Sequence, residues 1–301
     1  MSTAALAPLP GWRLAGAIHA SVLVIPAVIL LVLTILIPCL TVVALSFTDY
    51  QLGSLSLSWV GLENFLKIVQ SHTARRALSN TLVFTAIVVP ASVALGLLLA
   101  LLVSARGRVR RLYELLLFLP LTATMTVMAI VWSLVLHGQI GPVNKVLTTL
   151  GFSPISFLSD AGTVLPTLAA IAVWQHTSFC FVVFLAGLTS IPGELYEAAA
   201  LDRVNGAWER FRRITWPLLA PMTLVVVLLT TIKAFQVFDL VAVLTQGGPA
   251  GASEVLLYEI YLQAYSYFRI GYGSALTMLF VLMVGSVTAL QVWFARRRKT
   301  R

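Results

Sequence analysis

Three groups of residues in this 301-residue chain have types and spacings suited to chemistry. The first is Trp174-Gln175-His176-Thr177-Ser178, set in an apolar stretch. Four polar side chains in a row are costly in hydrocarbon, so they must face protein or water. Trp174 offers a flat apolar face with a polar edge, which suits a sugar ring and suits packing equally well. The second group is Lys233 and Gln236, three residues apart and on one helical stripe with Thr230. Lys233 reads either as a lysine reaching for the membrane interface near Asp239, or as part of a polar cavity with Gln236, Thr230 and Thr231. The third is "ELYEAAALDRVNGAWERFRRITWPLLAP", beginning at Glu194, a polar and alanine-rich interruption in apolar sequence.

Catalysis is not indicated by these groups. His19, His72, His137 and His176 are scattered, and no nucleophile–base pair or metal-ligand spacing appears. Cys39 and Cys180 lie inside apolar runs without a CxxC spacing and read as small buried hydrophobes. No G-x-x-x-x-G-K-[ST] loop is present to cradle a nucleotide. No carboxylate falls near the middle of an apolar run, whereas ion-coupled carriers usually hold an ionisable residue there.

The elements that must position these residues are membrane helices. The chain is 59% hydrophobic and only 10% charged, far below the roughly 25% charged residues of soluble domains. Six runs are long enough to cross a bilayer, which needs about 20 apolar residues: 21–46, 81–104, 112–136, 164–190, 217–243 and 271–295. They are continuous rather than alternating, so the fold is an all-α membrane protein with six transmembrane helices. The first run is too long for a signal-peptide core and is read as an uncleaved span. A net charge of +9 does not indicate nucleic acid, because the basic residues sit in short clusters between apolar runs.

Those clusters set the orientation. Arg13 in the 1–20 segment, the 106–111 and 203–213 arginines, and the 296–301 tail fall on one side; Lys67, Arg75, Arg76, Lys145 and Arg269 fall on the other. The richer side is cytoplasmic by the positive-inside rule, so both termini and the 191–216 loop are expected in the cytoplasm. The three outer loops look ordered: "SWVGLENFLKIVQS" as an amphipathic surface piece, "GQIGPVNKVLTTLGF" as a short helix between turns, and "LTQGGPAGAS" as a turn before a Tyr-rich helix.

The 191–216 loop reads as a helix–turn–helix. Glu194 to Arg203 is helix-prone, and Ala198, Ala199 and Ala200 give a flat surface that another backbone can approach. Asn205-Gly206 is expected to stop it, because glycine adopts the left-handed conformation without a Cβ clash. Pro217 opens the next span. A small helix tied to two spans acts as a lever, moving both when pushed.

This segment resembles the EAA loop of binding-protein-dependent ABC importer permeases, with its pattern E-A-A-x-x-D-G-A followed by F-x-x-I-x-x-P. Glu197, Ala198, Ala199 and Asp202 match the first half; Phe211, Ile214 and Pro217 match the second. Arg203-Val204 stands where Gly-Ala is usual, and one extra residue precedes Phe211, so Gly206 is expected to serve as the displaced turn. "SFTDYQ", "VGLENF", "GPVNKVLTTLGF", "FLAGLTSIP" and "FDLVAVLTQGGP", in that order, are similar to the carbohydrate permeases of the maltose and glycerol-3-phosphate type. The ending "FARRRKTR", without a Gly-rich tail, resembles the maltose-F or glycerol-phosphate-A half of the permease pair.

The resemblance implies a type I importer permease fold in a bacterial cytoplasmic membrane. It implies a second homologous permease, two ABC ATPases that bind the ATP and magnesium, and an extracytoplasmic solute-binding protein. This chain itself would hold no cofactor and catalyse nothing. Glu197, Ala198, Ala199, Asp202, Gly206, Phe211 and Pro217 would form the ATPase contact. A sugar-like solute would pass Trp174, Gln175, His176, Lys233 and Gln236. A permease for another solute class, or an ion-coupled carrier, are the rival readings.

Overall fold

The computed structural model describes residues 24–54, 56–105, 109–204 and 206–299, the side chains of 298 and 299 aside; the 1–20 segment, Arg106, Arg108, Asn205 and the end of the tail lie outside the described residues. The described chain is helical, with an isolated bridge between Thr48 and Trp59 and no strand. Helix α1 spans Val24–Leu45. It is followed by the short α2, Glu63–Gln70, and by α3, His72–Ser104. Next come α4, Arg110–Thr122; α5, Met125–Val135; the short α6, Pro142–Thr149; and α7, Val164–Thr189. The loop helix α8, Gly193–Leu201, precedes α9 over 207–235 and α10, Asp239–Leu244. The chain ends with α11, Leu256–Tyr261, and α12, Ile270–Lys299. Five helical segments are long and apolar enough to cross a membrane, and six if the bent α4–α5 pair is one span.

The apolar runs become helices, with three differences. The expected 217–243 span begins ten residues earlier, at Ala207, and leaves the helix over 236–238 before α10. Helix α3 begins at His72, nine residues before the apolar run, because Ser71 caps it by accepting from Ala74 N–H at 3.2 Å. The expected 112–136 span is broken: α4 and α5 meet at 100°, with Ala123 and Thr124 extended between them. The break follows Thr122, past Pro120, where Ala123 and Thr124 turn extended and Gln175 of α7 donates to the Pro120 and Ala123 carbonyls in place of the helical bonds lost there.

Helices α3 and α7 form the most extensive pair. They touch where a Cβ on Gly96 would lie 2.3 Å from Cys180 Cβ and 2.9 Å from Phe181 N, so only a glycine fits. Cys180 is a buried hydrophobe as expected, whereas Cys39 on α1 is exposed. Helix α1 packs chiefly on α12 and leaves most of its apolar surface uncovered, as a span facing lipid does.

At the end opposite α8, the loops are ordered as expected. Buried Asn144 in α6 donates to the carbonyls of Gly138 and Ile155, 3.0 Å each, and accepts from Ile155 N–H at 2.9 Å. Asn80 on α3 donates to the carbonyls of Gly251, Ala252 and Glu254, clamping the Gly-Gly-Pro loop. The first outer loop holds α2; its Phe65, and Trp59 ahead of it, pack on Phe47.

Candidate functional site

The loop helix α8 starts after Pro192, whose extended backbone sets the chain for the first turn. Its first turn carries Glu194, favourable at the positive end of the helix dipole. Ala199 is buried, while Glu197, Ala198 and Ala200 are exposed, so the small-residue surface is split between a covered and an open side. Leu201 at the tip is 87% exposed, a position that its place among alanines did not single out in the sequence.

Asp202 ends the helix, and the turn falls at Arg203 rather than Gly206. Arg203 has φ 62°, in the left-handed region, and Val204 N–H returns to the Ala199 carbonyl at 2.9 Å. Gly206 instead has φ −76° and ψ 136°, the extended residue that starts α9. The expected displacement of the turn is therefore corrected: Arg203, where the EAA pattern usually has glycine, itself takes the left-handed backbone. The turn is closed from outside by Arg210 Nε, which donates to the Val204 carbonyl at 3.1 Å.

After the turn, 207–210 is α-helical and Phe211–Thr215 forms a π-turn before Trp216. A π-turn holds one residue more per turn than an α-turn; the extra residue of the pattern lies ahead of it, on the stretch between Asp202 and Phe211. Phe211 stacks on Trp208 at a centroid distance of 5.6 Å and meets Trp216 at a tilt at 5.9 Å. Pro217 follows the π-turn after Trp216, inside the continuous 207–235 helix, where it contributes no N–H to the carbonyls of the preceding turn. Tyr196 Oη lies 3.0 Å from Thr215 Oγ1, which fastens α8 to the root of α9.

The second group lies on α7 and α9. Trp174 is partly exposed and meets Trp132 edge-on at 5.6 Å. Gln175 Nε2 donates to the carbonyls of Ala123 at 3.1 Å and Pro120 at 3.4 Å, so it satisfies backbone groups freed by the α4–α5 break. His176 is half-buried beside it and within electrostatic reach of Lys233. Lys233 Nζ sits over the Phe179 ring at 4.1 Å, a cation–π contact rather than an approach to Asp239, whose carboxylate accepts from Thr126. Gln236 is exposed at the end of the long α9 segment.

Thr230 and Thr231 do not join this face. Thr230 is buried against Cys180 Sγ at 3.4 Å, and Thr231 accepts from Gln291 Nε2 at 2.8 Å. The stripe drawn through Thr230, Lys233 and Gln236 therefore turns from helix interface to open surface along its length. The described residues hold no group of three or more side chains that could ligate a metal.

Comparison with known proteins places this architecture. Residues 92–300 match the family described as "Binding-protein-dependent transport system inner membrane component". A sulfoquinovosyl glycerol transport system permease protein of Agrobacterium fabrum is 32% identical and covers 96% of both chains. A trehalose/maltose transport system permease protein of Thermococcus litoralis is 34% identical over 80% of this chain and 81% of its own. An sn-glycerol-3-phosphate transport system permease protein of Agrobacterium fabrum is 30% identical, covering 92% and 94%. Among solved structures, a chain of a bacterial ABC transporter for alginate import superposes with a TM-score of 0.82 at 22% identity, over 95% of this chain and 99% of that one. On this evidence the chain belongs to the family of inner-membrane components of binding-protein-dependent transport systems.

Proposed function

We infer that this chain is one of two transmembrane subunits of an ATP-driven importer for a sugar or related polar solute. The observation that carries the reading is α8: a small helix with an open outer face, fastened through Tyr196 and Thr215 to the root of the next span. A force applied to such a helix moves α7 and α9 together, because both are its covalent neighbours. The force would come from one of two partner ATPases, seated on Glu197, Ala198, Leu201 and Asp202, with Phe211 and Pro217 holding the base; the second would sit on the partner permease. The α8 side is cytoplasmic in this reading, in keeping with its arginines. A binding protein would deliver solute at the opposite end; a structure of the alginate transporter is a complex with an alginate pentasaccharide-bound periplasmic protein.

The solute class is supported by relatives whose names specify sulfoquinovosyl glycerol, trehalose/maltose and glycerol-3-phosphate. Trp174, Lys233 and Gln236 present open surface on this chain and would line the path with a second permease; Gln175 and His176 lie behind them. The test is uptake of labelled sugars into proteoliposomes holding the purified complex and its binding protein. Uptake that needs internal ATP and survives ionophores supports the reading. Uptake without ATP that collapses with the ion gradient defeats it.

A further inference from the structure

Two separate apolar cores follow one another along α3, α7 and α9. One is built from Val88 of α3, Ala172 of α7, Ala234 of α9 and Leu240 of α10. The other, nearer α8, is built from Ala100 of α3, Cys180 and Phe184 of α7 and Val226 of α9. Those three helices run through both cores. The α4–α5 chain instead changes core where it breaks: Leu117 of α4 packs on the core nearer α8, and Met125 of α5 on the other.

Between the cores each helix is weakened or polar. On α3 this level holds Pro90, which has no N–H for the Ala86 carbonyl, and Ser92. On α7 it holds the run from Trp174 to Ser178, and on α9 Thr230. The hydroxyls of Ser92 and Thr177 are buried without a hydrogen-bond partner. A level with few apolar contacts and unpaired polar groups is where packed layers shift at least cost. Side chains of other helices hold the broken span there. Gln175 of α7 donates to the Ala123 carbonyl at 3.1 Å and the Pro120 carbonyl at 3.4 Å, on the α4 side. Thr126, at the start of α5, donates to Asp239 Oδ1 of α10 at 3.1 Å. Helix α7 enters α8, and α9 leaves it toward α10, so both ties lead back to the loop helix.

We propose that the α4–α5 break is a hinge on which the core nearer α8 shifts against the other, and that Gln175 is its positioning residue rather than a contact of the solute. The inference rests on the import reading, in which a push on α8 moves α7 and α9. An unbroken span would have to strain its helical hydrogen bonds at each shift. Ala123 and Thr124 are already extended and turn by rotation about their own backbone bonds. Gln175 moves with α7 and carries the last turn of α4 through two bonds to its open carbonyls. Without that amide, the carbonyls turn to water and the end of α4 no longer follows α7.

The test is the distance between spin labels at Leu112 on α4 and Leu134 on α5, both exposed, read by pulsed electron paramagnetic resonance. Cys39→Ser removes the exposed native thiol, and buried Cys180 stays. The whole complex with its binding protein is measured in lipid nanodiscs, without nucleotide and trapped with ATP and vanadate. The distance is expected to shift between the two states, and Gln175→Met, which keeps the bulk but not the donor, is expected to lose or smear that shift. Gln175→Asn, too short to reach both carbonyls, gives the same reading should Gln175→Met not assemble. A residue that only touched solute would leave the shift as it is in the unsubstituted chain. ATP-dependent uptake with no shift across the break would overturn the hinge and leave the import reading standing. An undiminished shift in the Gln175 variants would overturn the role of Gln175. Uptake without ATP, seen before any label is added, would defeat both readings.

Discussion

The hydroxyls of Tyr196 on the loop helix and Thr215 at the root of the next span lie 3.0 Å apart. Thr215 is buried and Tyr196 half-buried, so the contact is shielded from water. It joins the element that would receive a push to the element that would move. Tyr196→Phe removes this bond while keeping the ring. The expected cost in stability is small, about 0.5–1.5 kcal/mol. Solute moved per ATP hydrolysed should fall while the basal ATPase rate of the complex persists. Paired transport and hydrolysis assays check this; an unchanged ratio would show the bond carries no coupling.

Glu197 is outward-facing on α8 and takes part in none of the ion pairs among the described residues. Glu197→Ala is expected to loosen the ATPase contact or to separate hydrolysis from uptake, leaving the fold intact. Thermal unfolding and uptake measured on the same preparation distinguish these effects from misfolding.

Arg203 holds a left-handed backbone that disfavours any residue with a Cβ, by roughly 1–2 kcal/mol. Arg203→Gly should therefore raise the unfolding temperature slightly. Arg203→Val should lower it, because a β-branched residue fits φ 62° worse still. A denaturation series over the three variants reads the order Gly, Arg, Val.

At Gly96 the opposite sign is expected. A Cβ there would enter the Cys180 and Phe181 backbone contact, and neither helix is free to withdraw. Gly96→Ala should cost about 1–3 kcal/mol by overpacking, and Gly96→Leu should abolish the folded chain. Size-exclusion profiles and yield of membrane-extracted protein report the difference.

Glu254, at the foot of the Gly-Gly-Pro loop, has its carboxyl pushed up to about 8 by burial first, then by the bond and charge of Glu259, with Arg76 pulling the other way. A raised carboxyl binds its proton more tightly in the folded chain. Its stabilisation is complete below its ordinary value of 4.5 and is lost as pH rises through about 8. Hydrogen exchange of residues 245–262 should therefore speed up between those pH values beyond the intrinsic rate increase. Glu254→Gln, which cannot ionise, should flatten that dependence.

Much of the architecture was legible from the apolar runs, because a span must be about 20 residues long and satisfy its own backbone. The break in 112–136 was not, since Pro120 alone resembles the prolines that spans tolerate. What makes a break stable is Gln175, 52 residues from Ala123 in sequence, and only tertiary structure brings the two together. The loop helix was legible from Glu197 to Asp202, where composition and pattern agree. Its turn was not, because glycine is the usual left-handed residue and Gly206 was near; the backbone placed the strain on Arg203 instead. Lys233 was recognised as out of place, but its partner Phe179 is one aromatic among many in the sequence. Leu201 gave no signal of its own, since exposure of an apolar residue has no local sequence mark.

The central claim, that α8 is where an ATPase engages this chain, is tested most directly through Leu201. This side chain is large, apolar and 87% exposed at the tip of α8, so burying it against a partner should dominate the contact. Wild-type and Leu201→Asp chains would be purified gently from the native membrane and their companions identified and quantified. The account predicts an ABC ATPase and a second permease with the wild type, and the permease without the ATPase with Leu201→Asp. A wild type that emerges with no ATPase, or a variant that keeps it at wild-type stoichiometry, would contradict the account.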